Sequence, residues 1–183
     1  MSITKQKQQT AYSALAETFG YTSAMQSPRI SKVVVSSGVG KKRDKKQIEL
    51  IEDRLAKITG QKPALRAARL SIASFKVREG DTVGLQITLR GSRMYDFLDK
   101  LIHIALPRTR DFHGIAASAV DDMGNLTIGI KEHTIFPETP DEDLKDVFGF
   151  AVTIVTTAST KAEAESFFRH VGVPLIVDSG IKR

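Results

Sequence analysis

Basic side chains are the residues of this sequence best suited to chemistry, and they gather in its middle part. Between residues 59 and 114 the sequence carries Arg66, Arg69, Lys76, Arg78, Arg90, Arg93, Arg108 and Arg110. The surrounding segments alternate apolar and polar residues as strands do, and an amphipathic helix follows them. The basic side chains therefore lie on folded elements, which favours binding to a polyanion of defined shape. Structured RNA is the first candidate.

The charge is also divided along the chain, which carries a formal net charge of +6 over 183 residues. Residues 28–110 hold 19 Lys and Arg against 8 Asp and Glu, whereas residues 111–183 hold 6 against 12. This division suits a protein that binds nucleic acid with one surface and meets a basic protein or solvent with another.

Composition excludes several classes of protein. A hydrophobic content of 41% supports a buried core, and the absence of cysteine excludes disulfides and thiolate metal sites. No apolar run approaches the roughly 20 residues of a membrane helix, and the first ten residues lack the apolar segment of a secretory signal. We therefore expect a cytoplasmic protein that does not contact membranes.

A Gly-rich turn at residues 36–43, S-S-G-V-G-K-K-R, resembles a phosphate-binding loop only superficially. The nucleotide-binding motif needs glycine where Val35 stands and Ser or Thr where Lys42 stands. We interpret the segment as a strand-to-helix turn whose lysines face solvent or RNA phosphates.

Catalytic and metal-binding patterns are missing from the sequence. The four histidines (His103, His113, His133 and His170) lack the spacing of a zinc pair, and no G-x-S-x-G motif is present. The acidic residues 141–143 follow Pro140, as in the first turn of a helix. We therefore expect that the protein is not an enzyme and binds no cofactor or metal. An enzyme acting on a phosphorylated substrate remains an alternative hypothesis.

The hydrophobic pattern predicts helices and strands in alternation. Predicted helices cover residues 3–19, a segment capped by Asp44, a segment capped by Ser92 and ended by Pro107, and a last helix opened by Thr160 and Glu163. Predicted strands cover residues 30–35, 64–75, 83–89, 126–130 and 150–157, with 76–82 as the tip of a hairpin.

This order predicts an α+β fold: a mostly antiparallel sheet with helices packed on one face, forming a single-domain sandwich with a protruding β-hairpin. The domain spans residues 1–175, and residues 176–183 form a C-terminal tail. The other face of the sheet is then free to bind.

Two details have alternatives. The pattern favours a core position for Phe75 over an exposed ring that stacks on a ribose or base. Arg90 and Arg93 lie at the positive end of a helix, so they either face a phosphate or pair with Asp96 or Asp99.

Several blocks of the sequence carry a family resemblance. They are T-G-Q-K-P (59–63), S-I-A-S-F-K-V-R-E-G (71–80), T-L-R-G-S-R-M (88–94), L-P-R-T-R-D-F-H-G (106–114), I-F-P-E (135–138), V-T-I-V-T-T-A (152–158) and P-R-I-S-K-V-V-V (28–35). Together they resemble the bacterial large-subunit ribosomal protein five, the family that holds 5S rRNA, over nearly the whole chain.

The resemblance implies two sets of contact residues. Those facing rRNA are Ser36, Gln61, Lys62, Arg66, Thr88, Arg90 and Arg93. Those at the hairpin tip, which reaches the P-site tRNA, are Ser74, Phe75, Lys76, Val77 and Arg78. The chain departs from the family at Ser36 and Ser37, where members commonly carry asparagine and methionine, and a serine hydroxyl makes fewer hydrogen bonds than asparagine.

The resemblance also implies partners. They are 5S rRNA, large-subunit rRNA, P-site tRNA, other proteins of the central protuberance and a basic small-subunit head protein across an intersubunit bridge, the last facing the acidic half. The implied protein is a non-catalytic constituent of the cytoplasmic ribosome. A free-standing RNA-binding or ribosome assembly factor is the alternative.

Overall fold

The computed structural model describes residues 2–40, 45–110, 112–139 and 147–176. Its helices are α1 (Ile3–Phe19), α2 (Lys45–Thr59), α3 (Gly91–Lys100), α4 (Leu106–Arg108) and α5 (Lys161–Val171). Its strands are β1 (Ile30–Gly38), β2 (Ala64–Ala67), β3 (Thr82–Leu89), β4 (Leu126–Ile130) and β5 (Phe150–Thr156). Lys41, Lys42, the Asp44 cap, residues 141–143 and most of the predicted tail lie outside the described residues.

The strands form one five-stranded sheet in the order β2-β3-β1-β5-β4. β2 pairs antiparallel with β3, with Ala64 opposite Gln86 and Arg66 opposite Gly84. Buried and more exposed residues alternate along β3, β4 and β5, because successive side chains point to opposite faces. One face is therefore covered and the other is open, which confirms the predicted α+β fold.

The chain forms two compact units, each assembled from separated stretches. The first comprises Met1–Val33, Arg90–Ile128 and Thr153–Arg183, and the second comprises Val34–Leu89 and Gly129–Val152. The first has a core of Leu98 and Leu101 with Phe167 and Phe168, all fully buried. The second buries Ile51, Leu55 and Ile58 of α2, together with Leu85, Ile87 and Leu89 of β3.

The predicted first and last helices are confirmed. Gly20 ends α1 in the left-handed conformation, and its amide donates to the carbonyl of Ala16 at 2.8 Å. At the start of α5, Thr160 Oγ1 accepts from the Glu163 amide at 3.3 Å, while the Glu163 carboxylate accepts from the Ser159 amide at 2.7 Å. The reciprocal contacts are those of a capping box displaced by one residue.

The predicted end of the third helix at Pro107 is wrong. A π turn over Leu101–Ala105 follows α3, and α4 then carries Pro107. The Leu106 amide reaches back five residues to the Leu101 carbonyl. This wider turn loosens the backbone where the proline ring would otherwise meet a carbonyl of the preceding turn, so the helical path continues through Arg108.

The start of α3 also differs from the prediction. α3 begins at Gly91 and not after Ser92, with Arg90 in the N-cap position and no side-chain capping bond among the described residues. Gly91 has φ of 63° and turns the chain out of β3, which no β-branched residue would do easily. The helix start therefore depends on the glycine and not on the serine.

The predicted strand 64–75 is shorter than expected, although the hairpin with β3 is confirmed. β2 ends at Ala67, and its register with β3 shifts between Arg66 and Ala67. Beyond the shift, an isolated bridge joins Ile72 to Val77, and residues Ala73–Phe75 form a 3₁₀ turn. The alternation of apolar and polar residues over 64–75 therefore continues beyond the strand into a structured loop.

At the other end of the chain, Leu175 bridges to Ile115, and the Ile176 amide donates to the Ile115 carbonyl at 2.8 Å. The predicted domain bounds of 1–175 and 176–183 stay a prediction. Within the described ranges, no helix is long and apolar enough to cross a membrane.

Candidate nucleic-acid interface

The open face of the second unit carries polar side chains of β2 and β3. Gln86 and Thr88 of β3 are half-buried and alternate with the buried Leu85, Ile87 and Leu89. Directly opposite residues in an antiparallel pair share a face, so Arg66 of β2, opposite Gly84, projects to the same side. The strand geometry therefore brings Arg66, Gln86 and Thr88 onto one surface.

Ser36 and Ser37, adjacent in β1, lie on opposite faces of the sheet. Ser36 is half-buried on the open side, whereas Ser37 is only 3% exposed. The Ser37 hydroxyl donates to the Gly149 carbonyl at 2.9 Å and is thereby satisfied inside the protein. Ser36 is the serine that can offer its hydroxyl to a ligand.

Arg66 is held by a neighbour that the sequence did not single out. Its Nε donates to Gln86 Oε1 at 2.7 Å, and the contact is exposed to solvent. The sequence contained the signal, because Gln86 alternates with Leu85 and Ile87 in the same way as Thr88 does. The family resemblance implies Thr88, and the alternation places Gln86 on the same face.

Gln61 is placed by the turn that follows α2. Gly60 has φ of 69°, and Thr59 Oγ1 donates to the Leu55 carbonyl at 2.7 Å and accepts from the Gln61 amide at 3.4 Å. The Gln61 side chain then donates through Nε2 to the Thr88 carbonyl at 3.4 Å. This bond joins two of the predicted rRNA contacts at one end of β3.

Lys62 is tied to a carboxylate. Its Nζ lies 3.1 Å from Glu52 Oε1, while its side chain is 83% exposed. A surface ion pair of this kind is weak, so a phosphate can displace the carboxylate, but the positive charge is partly cancelled in the free protein. In the free protein, Lys62 is therefore less available to an anion than Arg66, whose partner Gln86 is uncharged.

Arg90 and Arg93 belong to the first unit and are exposed at the start of α3. Arg90 Nη1 donates to the Ser31 carbonyl at 3.5 Å. No ion pair joins either arginine to Asp96 or Asp99 in the part of the chain that the structure describes. Asp99 is bound elsewhere, to the start of α1. The alternative of pairing with these carboxylates is thus wrong.

The prediction that Phe75 is a core residue is also wrong. The ring is 72% exposed, because it lies in the 3₁₀ turn at the hairpin tip and not at the end of a strand against the core. Ser74, Lys76 and Arg78 are exposed as well, and Val77 is half-buried. All five residues that the family resemblance assigns to the tip are therefore near one another along an accessible loop.

The tip is a structured loop with an apolar hollow beside it. The Arg78 amide donates to Asp81 Oδ2 and the Glu79 amide donates to Ser71 Oγ, both at 2.9 Å. The exposed Leu70 and Ile72, which sequence reasoning missed, line with Phe75 an open hollow of about 670 Å³. An exposed aromatic ring in a loop that also carries Lys76 and Arg78 is suited to stacking against an unpaired base.

The requirements of a metal site are not met in the described part of the chain. Among the described residues, no group of three or more His, Cys, Asp and Glu could hold a metal ion. His133 is fully buried and stacks on Phe148 with ring centroids 4.3 Å apart, as a core residue does. The geometry is that of a binding surface.

Comparison with known proteins assigns a family to the sequence. Residues 23–78 match the family model described as ribosomal protein L5, and residues 82–175 match the model for the C-terminus of the same ribosomal family. The chain is 46% identical over 162 residues to the large ribosomal subunit protein uL5 of Ligilactobacillus salivarius, covering 88% of this chain and 90% of that protein. Its identity to uL5 of Limosilactobacillus reuteri is 48% with the same coverage, and to uL5 of Streptococcus pyogenes 46%.

Proposed function

The chain belongs to the ribosomal protein L5 family, and from this membership we propose that it is a structural constituent of the large ribosomal subunit. It binds 5S rRNA and anchors that RNA in the central protuberance. The family is one of structural proteins, so the expectation that the chain is not an enzyme is confirmed by its family.

The observation that carries the 5S rRNA proposal is the open sheet face of the second unit. Ser36, Gln86 and Thr88 provide short or uncharged polar groups there, and Arg66 adds a single positive charge. An A-form helix offers a shallow minor groove lined by 2′-hydroxyls, whereas its major groove is too narrow for side chains. A flat polar surface can approach that minor groove closely, with arginine at a phosphate.

The residues divide into two roles under this proposal. Ser36, Gln61 and Thr88 exchange hydrogen bonds with 2′-hydroxyls and base edges, which fixes register. Lys62, Arg66, Arg90 and Arg93 contact phosphates of 5S rRNA or of neighbouring large-subunit rRNA, which supplies most of the affinity.

The hairpin tip carries a second proposed contact, with the P-site tRNA. Phe75 is exposed next to Lys76 in sequence and lines a hollow together with other apolar side chains, so the tip offers both stacking and charge. Contacts of this kind do not read base identity, and they therefore suit a protein that must accept every tRNA.

The acidic half of the sequence is proposed to meet a basic protein of the small-subunit head across an intersubunit bridge. This part of the proposal rests on charge, since residues 111–183 hold twice as many acidic as basic side chains. Other proteins of the central protuberance are further proposed neighbours on the cytoplasmic ribosome.

Sedimentation of a lysate through sucrose gradients at moderate salt tests the assignment. A structural constituent sediments with large subunits and with intact ribosomes at near equal stoichiometry. Recovery mainly in the free pool, or only with immature large subunits, would support an assembly factor instead.

A further inference from the structure

We propose that Gln86 is a positioning residue for Arg66, holding its guanidinium so that the Nη1–Nη2 edge is presented to an RNA phosphate. The inference rests on the proposed 5S rRNA function. It adds to that function a residue that affects RNA binding through Arg66.

The sheet register makes this contact specific. Arg66 lies opposite Gly84, and Gln86 lies opposite Ala64. Each long side chain therefore faces a small one across the ladder, and the two long ones meet diagonally, which is within reach of long side chains. A Cβ on Gly84 would lie 4.0 Å from the Arg66 Cβ, which is an ordinary contact, and 3.2 Å from the Ser37 carbonyl oxygen, so the close approach of the β1 backbone favours the absence of a side chain opposite Arg66.

The arginine nitrogen that contacts Gln86 determines which edge of the guanidinium remains available to bind a phosphate. Arg66 donates through Nε, at 2.7 Å from Gln86 Oε1. The bond therefore uses Nε, and Nη1 and Nη2 have no hydrogen-bond or ion-pair partner within the described part of the chain. That planar pair matches two phosphate oxygens, which is the bidentate geometry that makes arginine a phosphate ligand.

The neutral amide orients Arg66 without cancelling its charge. Lys62 shows the contrast, because its partner is the carboxylate of Glu52 at 3.1 Å. A carboxylate opposite Arg66 would fix the side chain but would compete with the phosphate. A glutamine also removes rotamer freedom before binding, so less of that freedom is lost when the RNA arrives.

A double-mutant cycle on 5S rRNA affinity, measured at several salt concentrations, tests the inference. Arg66→Met should weaken binding about tenfold and lower the salt slope by about 1, since one phosphate contact is lost. Gln86→Met should weaken binding about three- to fivefold with the slope unchanged, because the charge stays. In the Arg66→Met background, Gln86→Met should have no further effect.

Gln86→Glu is the matched control. It keeps an acceptor for Arg66 but adds the opposite charge, so it should lower the salt slope by about 1, as Arg66→Met does. Because the side chains of Arg66 and Gln86 lie at the surface, every variant should have the melting temperature of the unmodified protein.

An equal effect of Gln86→Met in both backgrounds would show that Gln86 acts on its own, and no effect in either would also overturn the inference. If Arg66→Met leaves the 5S rRNA affinity unchanged while the protein still prefers 5S rRNA to an unrelated duplex, the positioning role is refuted. The proposed function then remains intact. Loss of selectivity in the unmodified protein would refute the function itself.

Discussion

The carboxylate of Asp99, in α3, caps the start of α1 through Thr4. Asp99 Oδ1 accepts from the Thr4 amide at 2.9 Å and from the Thr4 hydroxyl at 2.5 Å, while Oδ2 accepts from the Ile3 amide at 2.9 Å. Thr4 is fully buried. Amides at a helix start have no partner within the helix, so a carboxylate from a second helix satisfies them and joins the two elements.

The first prediction concerns stability at acid pH. Partial burial raises the pKa of Asp99, but hydrogen bonds from Ser2, from the Thr4 side chain and amide and from the Ile3 amide outweigh it, and the pKa lies below its usual 3.8. A lowered pKa means that the stabilisation is complete above the unfolded value and is lost as pH falls below about 3.8.

Asp99→Asn should therefore lower the free energy of unfolding at pH 7 by about 1 to 2 kcal/mol and should flatten its decline at acid pH. Urea denaturation at several pH values measures both effects. Asp96→Asn, on the exposed side of the same helix, is the control and should change neither. An unchanged acid dependence in Asp99→Asn would show that this carboxylate is not the titrating group.

The second prediction concerns Arg90. Arg90→Ala should weaken 5S rRNA binding about tenfold at low salt and lower the slope of log affinity against log salt by about 1, because a phosphate contact is removed. Arg169→Ala removes the same charge from α5 and is the matched control. Equal effects of the two substitutions in gel shifts would mean that Arg90 contributes only net charge.

The third prediction follows from the exposure of Phe75. Phe75→Ala should change the free energy of unfolding by no more than about 0.5 kcal/mol, because little apolar surface is lost from the interior. Phe168→Ala, which removes a fully buried ring, should cost about 3 to 5 kcal/mol. Thermal or chemical denaturation compares the two, and a large loss in Phe75→Ala would place that ring in the core.

The fourth prediction separates the two RNA contacts. Lys76→Ala should leave 5S rRNA affinity nearly unchanged but should weaken P-site tRNA binding to ribosomes reconstituted with the variant, since Lys76 lies at the exposed hairpin tip. Filter binding of tRNA at two salt concentrations measures the second effect. Equal loss of 5S affinity in Lys76→Ala and Arg90→Ala would contradict this division.

Local signals in the sequence were sufficient for most elements. The helix of residues 3–19 and the strand of residues 126–130 match α1 and β4 because their periodicity and their terminal residues agree. At Pro107 the local rule failed, since a π turn absorbs the proline. At residues 68–75 it failed because alternation does not distinguish a strand from a loop held by its own side chains.

The candidate interface was only partly predictable. Alternation in β3 suffices to place Thr88 on an open face, and it would have placed Gln86 there too. The contact of Arg66 with Gln86 depends on which residues of β2 and β3 are opposite, and the register is not encoded in either strand alone. The exposure of Phe75 likewise depends on the tertiary position of the tip.

The central claim is that the open sheet face around Thr88 receives 5S rRNA, and a steric block on that face tests it most directly. Thr88→Trp keeps a residue with high strand propensity but fills the surface, whereas Thr18→Trp places the same bulk on an exposed position of α1. Equilibrium gel shifts should show 5S rRNA affinity reduced by at least about tenfold for Thr88→Trp, equivalent to about 1.4 kcal/mol or more. The affinity of Thr18→Trp should equal that of the unmodified protein, and undiminished binding by a folded Thr88→Trp variant would contradict the claim.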